Sequence, residues 1–388
     1  MVQKKLIRIS TIPLSLNILL KGQLAFANRF FEVVAISGPG IDLEQVAERE
    51  GVKVVAVKME RKISPLNDIV SLILLYQAFR RERPLIIHSI TPKAGLLSML
   101  AGRFAGVPIR IHTFTGLVFP SKKGWMQRLL IAMDKLLCFF ATHVYPEGQG
   151  VLRDLQKFKI TKKELKVIAN GNVNGIDIEF FNPDRITETQ KHTLRIELEI
   201  GQNDFVFTFV GRLVRDKGIN ELVRAFVSFQ QSYPTSKLLL VGNIEEQHGF
   251  LDHDVLQKMK TNRFIISAGF QEDIRVYLAI SKVLILPSHR EGFPNVVLQA
   301  GAMGLASIVT NINGSNEIII DKENGLIIEV NNENEIFNAM KMYFQDVNLY
   351  TRATKKSRLL IVDRYKQEEV WGATLEEYYK LIRECTKI

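Results

Sequence analysis

Short apolar runs alternate with longer amphipathic stretches along almost the whole chain. In the first half, runs rich in leucine and β-branched residues predict strands at residues 6–9, 32–36, 52–57, 85–88, 108–113, 143–145 and 165–168. Between them, residues 66–83 and 93–105 carry apolar side chains three and four positions apart, which is the spacing of one helix face. The second half repeats the rhythm, with strands predicted at 205–210, 237–241, 264–267, 283–286, 307–310 and 325–330.

Strands and helices in alternation predict parallel sheets with helices on both faces. Because 388 residues exceed one ordinary core, we expect two doubly wound, Rossmann-like α/β domains, at residues 1–183 and 184–365. Residues 366–388 are predicted to form a helix that crosses back to the first domain. Ligands of such sheets bind beyond the carboxyl ends of the strands, so we expect the two domains to face a central cleft that holds the site.

The charge is unevenly distributed. Residues 1–180 hold 26 Lys and Arg against 14 Asp and Glu, whereas the remainder holds 25 against 27. A basic first half indicates an anionic partner on that side, either nucleic acid, a phospholipid surface or a diphosphate-bearing acceptor. The alternative is charge that serves solubility alone.

The sequence also suggests where the protein works. Its first residues lack the cleavage pattern of a signal peptide. Its most apolar stretch, residues 129–144, is interrupted by Asp134 and Lys135 and cannot supply the ~20 apolar residues of a membrane span. The two cysteines, Cys138 and Cys385, lie far apart, and we interpret them as free thiols. We therefore expect a cytoplasmic protein.

Two segments carry candidate chemistry, and the first follows the strand at residues 205–210. Gly211 permits close backbone approach there, and Arg212 and Lys217 can hold a diphosphate beside the start of a helix. Solvated surface cations are the alternative interpretation.

The second segment, E-G-F-P-N at 291–295, lies between the strand at residues 283–286 and a predicted helix that begins at Pro294. The first amides of a helix have no partner within it and can bind phosphate or sugar oxygens. Glu291 can accept hydrogen bonds from sugar hydroxyls, and Gln299 lies ~7.5 Å further along the helix axis, near a ribose. A helix capped by a carboxylate is the alternative.

Other nucleotide-binding patterns are missing from the sequence. No G-x-G-x-x-G follows the first strand and no G-x-x-x-x-G-K-[ST] occurs, which argues against a nicotinamide dehydrogenase and a P-loop NTPase. No His and Cys cluster has the spacing of metal ligands, so we expect no metal.

Together, the two segments resemble the retaining glycosyltransferases of family four, which have the GT-B fold. Their hallmark is a segment like E-G-F-P-x-x-x-L-E-A, which this chain matches from Glu291 to Leu298, with Gln299 in place of the second Glu. The family's diphosphate-binding Arg and Lys correspond to Arg212 and Lys217. Stretches at 88–95, 170–177 and 314–318 extend the resemblance over nearly the whole chain, and bacterial capsule and surface-polysaccharide members look most similar.

The resemblance implies transfer of a sugar from a nucleotide-diphosphate sugar to a lipid-linked or saccharide acceptor, with no cofactor or metal. A UDP-linked N-acetylhexosamine or related hexose is the suggested donor. The implied donor-binding residues are Gly22, Gly211, Arg212, Lys217, Phe270, Glu291, Gly292, Phe293, Pro294, Asn295 and Gln299. The implied catalytic residues are Glu291, Arg212, Lys217, Thr115 and His112.

Three of these residues need comment. Gln299 lacks the family's charge, which costs about 1 kcal/mol of binding if one charge-assisted bond becomes neutral. Thr115 stands where the family often has a His, and His112 lies three residues earlier, with a structural role at the strand end as its alternative.

Other functions remain open. A catalytically impaired sugar-nucleotide-binding protein and a sugar-nucleotide epimerase would share the fold, whereas nucleic-acid binding lacks the expected interleaving of aromatics and cations. Residues 121–130 mix cations, Trp and leucines as interfacial helices do, so we expect peripheral contact with an anionic surface at the inner face of the plasma membrane. A buried helix with a basic edge is the alternative.

Overall fold

The computed structural model of the chain describes residues 4–61, 63–245 and 249–386. These residues form two compact α/β units. The first contains the described residues up to Gly175 together with those from Gln367 onward, and the second runs from Ile176 to Lys366. Each unit contains one six-stranded sheet in which all neighbouring strands are parallel. The predicted class of two doubly wound α/β domains is therefore confirmed.

The sheet of the first unit has the spatial order β3-β2-β1-β4-β5-β6. Its strands are β1 (Lys5–Ile9), β2 (Glu32–Ser37), β3 (Lys53–Ala56), β4 (Ile86–Ser89), β5 (Ile109–Phe114) and β6 (His143–Pro146). The strand predicted at residues 165–168 is wrong, since this segment is irregular. Its apolar side chains Leu165 and Ile168 instead pack against the cores on opposite faces of the sheet.

Helices cover both faces of this sheet. They are α1 (Pro13–Leu19), α2 (Gln23–Asn28), α3 (Ile41–Glu50), α4 (Pro65–Glu82), α5 (Pro92–Phe104), α6 (Gly124–Phe140), α7 (Gln149–Lys157) and, from the end of the chain, α16 (Gln367–Cys385). Buried residues of α1, α2, α3 and α16 form the core on one face, and those of α4, α5, α6 and α7 form the core on the other. In the described part of the chain, we find no helix whose length and apolar character suit a membrane crossing.

The second unit repeats this topology with the order β12-β11-β10-β7-β8-β9. Its strands are β7 (Phe205–Val210), β8 (Ser236–Val241), β9 (Ile265–Gly269), β10 (Val283–Leu286), β11 (Ala306–Thr310) and β12 (Gly325–Ile328). Its helices are α8 (Glu188–Glu197), α9 (Ile219–Ser232), α10 (His253–Thr261), α11 (Arg275–Ala279), α12 (Asn295–Ala302), α13 (Ser315–Ile318), α14 (Glu333–Gln345) and α15 (Val347–Tyr365). The apolar runs that predicted these strands are buried because helices cover both sides.

Helix α16 is fixed to the first unit by a buried polar cluster. The Tyr378 hydroxyl accepts a hydrogen bond of 2.8 Å from Arg8 Nη1 and lies 2.6 Å from His88 Nδ1. His88 Nε2 lies 2.8 Å from Thr113 Oγ1, so both ring nitrogens have partners. Burial, reinforced by the charge of Arg8, holds the pKa of His88 well below its usual range. This arrangement makes His88 a satisfied core histidine.

We expect Tyr378→Phe to destabilise the first unit by about 2 kcal/mol, because it removes the acceptor of a buried cation. Urea unfolding at neutral pH measures the loss. Tyr379→Phe is the matched control, since the neighbouring Tyr379 is 38% exposed. Equal stability of the two variants would show that the cluster does not hold the helix.

Candidate functional site

The two segments chosen from the sequence follow neighbouring strands of the second sheet. Strands β7 and β10 pair with each other, while β8 and β11 lie on their outer sides. The strand order reverses at this point, and the connections that leave β7 and β10 run in opposite directions. A crevice opens between such loops at the carboxyl edge of the sheet, and ligands of doubly wound folds bind in it.

Lys217 and Glu291 meet in this crevice. Lys217 Nζ lies 2.6 Å from Glu291 Oε1, and the side chains are 18% and 14% exposed. Ser288 Oγ donates a hydrogen bond of 2.8 Å to the same carboxylate oxygen, and the Ser288 carbonyl accepts one of 2.6 Å from Thr310 Oγ1. The carboxylate is therefore held from two sides and remains partly accessible. Ser288 was not among the predicted site residues, although it lies only two residues beyond the strand predicted at 283–286.

Two glycines bring the surrounding loops together. Gly218 has φ +71°, and a Cβ there would lie 2.1 Å from the Pro287 carbonyl oxygen. Gly314 has φ +75°, and its Cβ would lie 2.3 Å from the Gly292 carbonyl oxygen. Since no side chain fits at either position, both glycines are needed for the loops after β7, β10 and β11 to pack backbone against backbone. Gly314 begins one of the stretches that carry the family resemblance and Gly218 directly follows Lys217, but neither glycine was predicted to have a role.

Arg212 lies in the same loop as Lys217 but has a different partner. Its Nη1 is 3.4 Å from Glu245 Oε2, and 42% of its side chain is exposed. Exposed ion pairs contribute little free energy, so this contact leaves Arg212 able to turn toward another anion. Gly211, just before it, has φ +147° and donates a backbone hydrogen bond of 2.9 Å to Val241.

Helix α12 begins one residue later than predicted. Pro294 is its N-cap, with φ −74° and ψ 104°, and Asn295 is the first helical residue. The extended ψ of Pro294 keeps it outside the helix, while its carbonyl accepts a hydrogen bond from the Val297 amide at 3.0 Å. The N-cap residue Pro294 makes no side-chain hydrogen bond to this first turn. Gln299 is consequently the fifth residue of α12, half-buried.

The aromatic residues Phe293 and Phe270 have opposite environments. Phe293 is 7% exposed and packs edge-on against Tyr365, so it anchors the loop before α12. Phe270 is 70% exposed and follows β9, and its amide donates a hydrogen bond of 3.0 Å to Asn243 Oδ1. Its ring is free to stack on a planar ligand at the carboxyl edge of the second sheet.

The other predicted residues belong to the first unit. His112 is fully buried in β5, its Nδ1 lies 2.8 Å from Ser89 Oγ, and its ring meets Phe114 edge-on. Burial lowers the pKa of His112 to about 3, so the imidazole is neutral. A Cβ on Gly95 would lie 2.5 Å from the ring, which shows how closely α5 covers it. These contacts favour the structural alternative for His112.

Gly22 and Thr115 are likewise engaged within the first unit. The Gly22 amide donates a hydrogen bond of 2.8 Å to Glu50 Oε1, so a carboxylate already occupies the start of α2. A Cβ on Gly22 would lie 2.7 Å from the Trp371 ring, and close packing thus explains this glycine without a phosphate. Thr115 is half-buried and donates a hydrogen bond of 2.8 Å to the Ile90 carbonyl.

Acidic side chains of the second unit include one Asp-x-Asp pattern that sequence analysis passed over. Asp252 and Asp254 both bind Arg224, at 2.6 and 2.8 Å. Among residues 4–61, 63–245 and 249–386, no three His, Cys, Asp or Glu side chains are grouped as metal ligands would be.

Comparison with protein families gives two successive matches along the chain. Residues 24–171 match the family model described as a glycosyl transferase 4-like domain. Residues 190–360 match the model described as glycosyl transferases group 1. The second match includes both segments that form the crevice of the second sheet.

Curated relatives extend over most or all of the chain. A capsular polysaccharide biosynthesis glycosyltransferase, CapM of Staphylococcus aureus, is 28% identical over 99% of both chains. The UDP-Gal:alpha-D-GlcNAc-diphosphoundecaprenol alpha-1,3-galactosyltransferase of Escherichia coli is 30% identical over 72% of this chain and 71% of its own.

Solved structures support the fold. Anabaena HepE in complex with UDP and glucose superposes with a TM-score of 0.82 at 17% identity, covering 97% of this chain and 100% of that one. Family models, relatives and topology thus agree, and the chain belongs to glycosyltransferase family four, with the GT-B fold of that family.

Proposed function

We propose that this protein is a retaining glycosyltransferase of surface-polysaccharide assembly. It moves a hexose or N-acetylhexosamine from a UDP-sugar to a lipid-diphosphate-linked or saccharide acceptor. The observation that carries the proposal is the cluster of Lys217, Glu291 and Ser288 at the switch point of the second sheet. The relatives support it, since one is named for capsule synthesis and another for a UDP-Gal donor and a diphosphoundecaprenol-linked acceptor.

In this proposal the second unit binds the donor diphosphate. Lys217 supplies a charge at the crevice, and Arg212 exchanges its exposed contact with Glu245 for a phosphate oxygen. The start of α12 adds backbone hydrogen-bond donors and the positive end of the helix dipole. Together they stabilise the negative charge that grows on the leaving diphosphate.

The rest of the donor is assigned to neighbouring side chains. Glu291 accepts hydrogen bonds from hydroxyls of the transferred sugar, and Lys217 and Ser288 hold it in place for this role. Gln299 pairs with a ribose hydroxyl through its amide group. The exposed ring of Phe270 stacks on the base.

The proposed transfer needs no protein nucleophile. The acceptor hydroxyl oxygen forms a bond to the anomeric carbon on the face from which the diphosphate departs, and its proton passes to the departing phosphate oxygen. The basic first unit takes the anionic acceptor. His112, neutral and buried, positions β5 rather than moving a proton in this scheme.

One further candidate is a donor-binding protein without turnover. The departures at Gln299 and Thr115 from the family's usual residues favour it. Turnover in the presence of an acceptor separates the two candidates.

The function is tested with a panel of nucleotide sugars. Thermal shift identifies the donor, and mass spectrometry then follows its transfer to a lipid-diphosphate sugar. We expect stabilisation by one UDP-sugar and a product in which the α-linkage of the donor is kept. Binding without transfer to any acceptor would support the binding protein, and an isomerised nucleotide sugar formed without acceptor would indicate an epimerase.

Lys217→Ala should lower kcat/KM by about 100-fold, because it removes a charge that stabilises the leaving diphosphate. Arg215→Ala is the matched control, since this cation of the same turn is exposed, and we expect a change of no more than about twofold for such a surface site. Steady-state kinetics with the identified donor measure both. Similar losses in the two variants would contradict the assigned role of Lys217.

Gln299→Glu should tighten donor binding by about fivefold, since one neutral hydrogen bond becomes charge-assisted. Calorimetry with the UDP-sugar and with free uridine measures the effect. The gain should appear for both ligands if Gln299 contacts the ribose. An unchanged affinity for uridine would remove the ribose contact from the proposal.

A further inference from the structure

Helix α4 is apolar on its buried face and on its outer face. Leu75 and Phe79 are buried in the core of the first unit. On the other side, Leu66, Ile69, Val70 and Ile73 are 80%, 55%, 55% and 50% exposed. Their spacing of three and four residues forms one continuous stripe along the helix. Isolated exposed leucines are normal on a soluble protein, but a continuous stripe indicates a binding surface.

Helix α6 has a second such stripe. Leu137 and Cys138 are buried. Trp125, Leu129, Leu136 and Phe139 are 71%, 36%, 45% and 74% exposed on its outer side. The sequence pattern indicates an interfacial character for the start of this helix, at residues 121–130, but not for α4.

The two stripes belong to the same layer of the first unit. Helices α4 and α6 both pack against α5, and buried residues of all three form the core on one face of the sheet. Each helix follows a parallel strand and runs back against it, so the three helices start at the carboxyl edge of the sheet. Leu66 and Trp125 therefore both lie toward that edge.

Cations accompany the apolar side chains. Lys122 and Lys123 precede α6, Arg128 and Lys135 lie within it, and all four are exposed. Asp134 is the one acidic residue between 119 and 140, and burial raises its pKa to about 7. Apolar groups beside cations, with little opposing charge, are complementary to an anionic lipid surface.

The second unit offers a contrast. Its strongly exposed apolar side chains include Ile196 on α8 and Val347 and Leu359 on α15, the last two twelve positions apart. Its charge is close to balanced, whereas residues 1–180 hold 26 Lys and Arg against 14 Asp and Glu. The stripes of α4 and α6 are therefore a local property of the basic first unit.

We propose that the two stripes together form a membrane-docking surface, the α4–α6 surface, which seats the protein on a bilayer that contains anionic phospholipid. The purpose of this docking rests on the proposed function, since a lipid-linked acceptor is presented at such a bilayer. A second copy of the chain is a poorer occupant, because symmetric pairing would bring two cationic rims together.

Vesicle flotation of the full chain tests the surface. We expect binding to vesicles of phosphatidylcholine with phosphatidylglycerol and much less to phosphatidylcholine alone. Ile69→Glu combined with Ile73→Glu should lower the partition coefficient by about tenfold or more, since two apolar side chains no longer enter the interface. The matched control combines Val347→Glu with Leu359→Glu on the second unit. These two residues are at least as exposed, and this variant should bind as the wild type does.

The cations are tested separately. Lys122→Ala combined with Lys123→Ala should lower binding by about 25-fold, because each cation near an anionic surface contributes about fivefold, and added salt should weaken the binding of the wild type. These residues lie outside the core, so this variant decides the question if the α4 variant fails to fold. Thermal unfolding reports on folding in each case.

The outcomes are distinct. Wild-type binding by the α4 and Lys variants would overturn the proposal. The proposal would also be overturned if light scattering showed that the wild type is a dimer that does not bind vesicles and that the α4 variant is a monomer. Donor binding and transfer to a detergent-solubilised acceptor are measured in parallel. A protein that floats as described but transfers no sugar would keep the docking surface and remove the proposed function.

Discussion

The candidate site of the second unit depends on the pairing of two strands that are not consecutive in the sequence. Strands β7 and β10 are neighbours at the centre of the sheet. Strands β8 and β9 continue the sheet beyond β7, whereas β11 and β12 continue it beyond β10. The loops that follow β7 and β10 separate, and their polar ends stay uncovered. Lys217 and Glu291, 74 positions apart, form a short ion pair there. Gly218 and Gly314 allow the backbone approach that keeps this pair at the rim of the sheet.

The periodicity of apolar residues predicted the elements of the fold well, because it follows directly from what each element buries. The predicted strand at residues 283–286 has the bounds of β10, and the one at 205–210 has those of β7. The failure at residues 165–168 has a tertiary cause, since Leu165 and Ile168 pack against the two cores without a partner strand. The start of α12 was missed by one residue because Pro294 suits both the N-cap and the first turn.

Candidate site residues could be chosen from the sequence where residue type and position at a strand end coincided. Lys217 and Glu291 satisfied both conditions, and the structure brings them into contact. The surroundings of Gly22 and His112 depend on residues that the sequence does not place near them. The Glu50 carboxylate accepts the hydrogen bond of the Gly22 amide, while the fold buries His112 beneath α5. Ordinary-looking neighbours such as Ser288 acquire a role only through such contacts.

The return of α16 to the first unit has a consequence for dissecting the protein. The second unit is one uninterrupted stretch of chain, from Ile176 to Lys366, whereas the first is assembled from two separate stretches. An amino-terminal fragment that stops at Gly175 would lack Tyr378, whose hydroxyl accepts a hydrogen bond from the buried Arg8. It would also expose the apolar side chains against which α16 packs. Only the second unit can be excised as one continuous piece of chain. Recombination between relatives that exchanges only the amino-terminal or only the carboxyl-terminal half would take the two parts of the first core from different proteins.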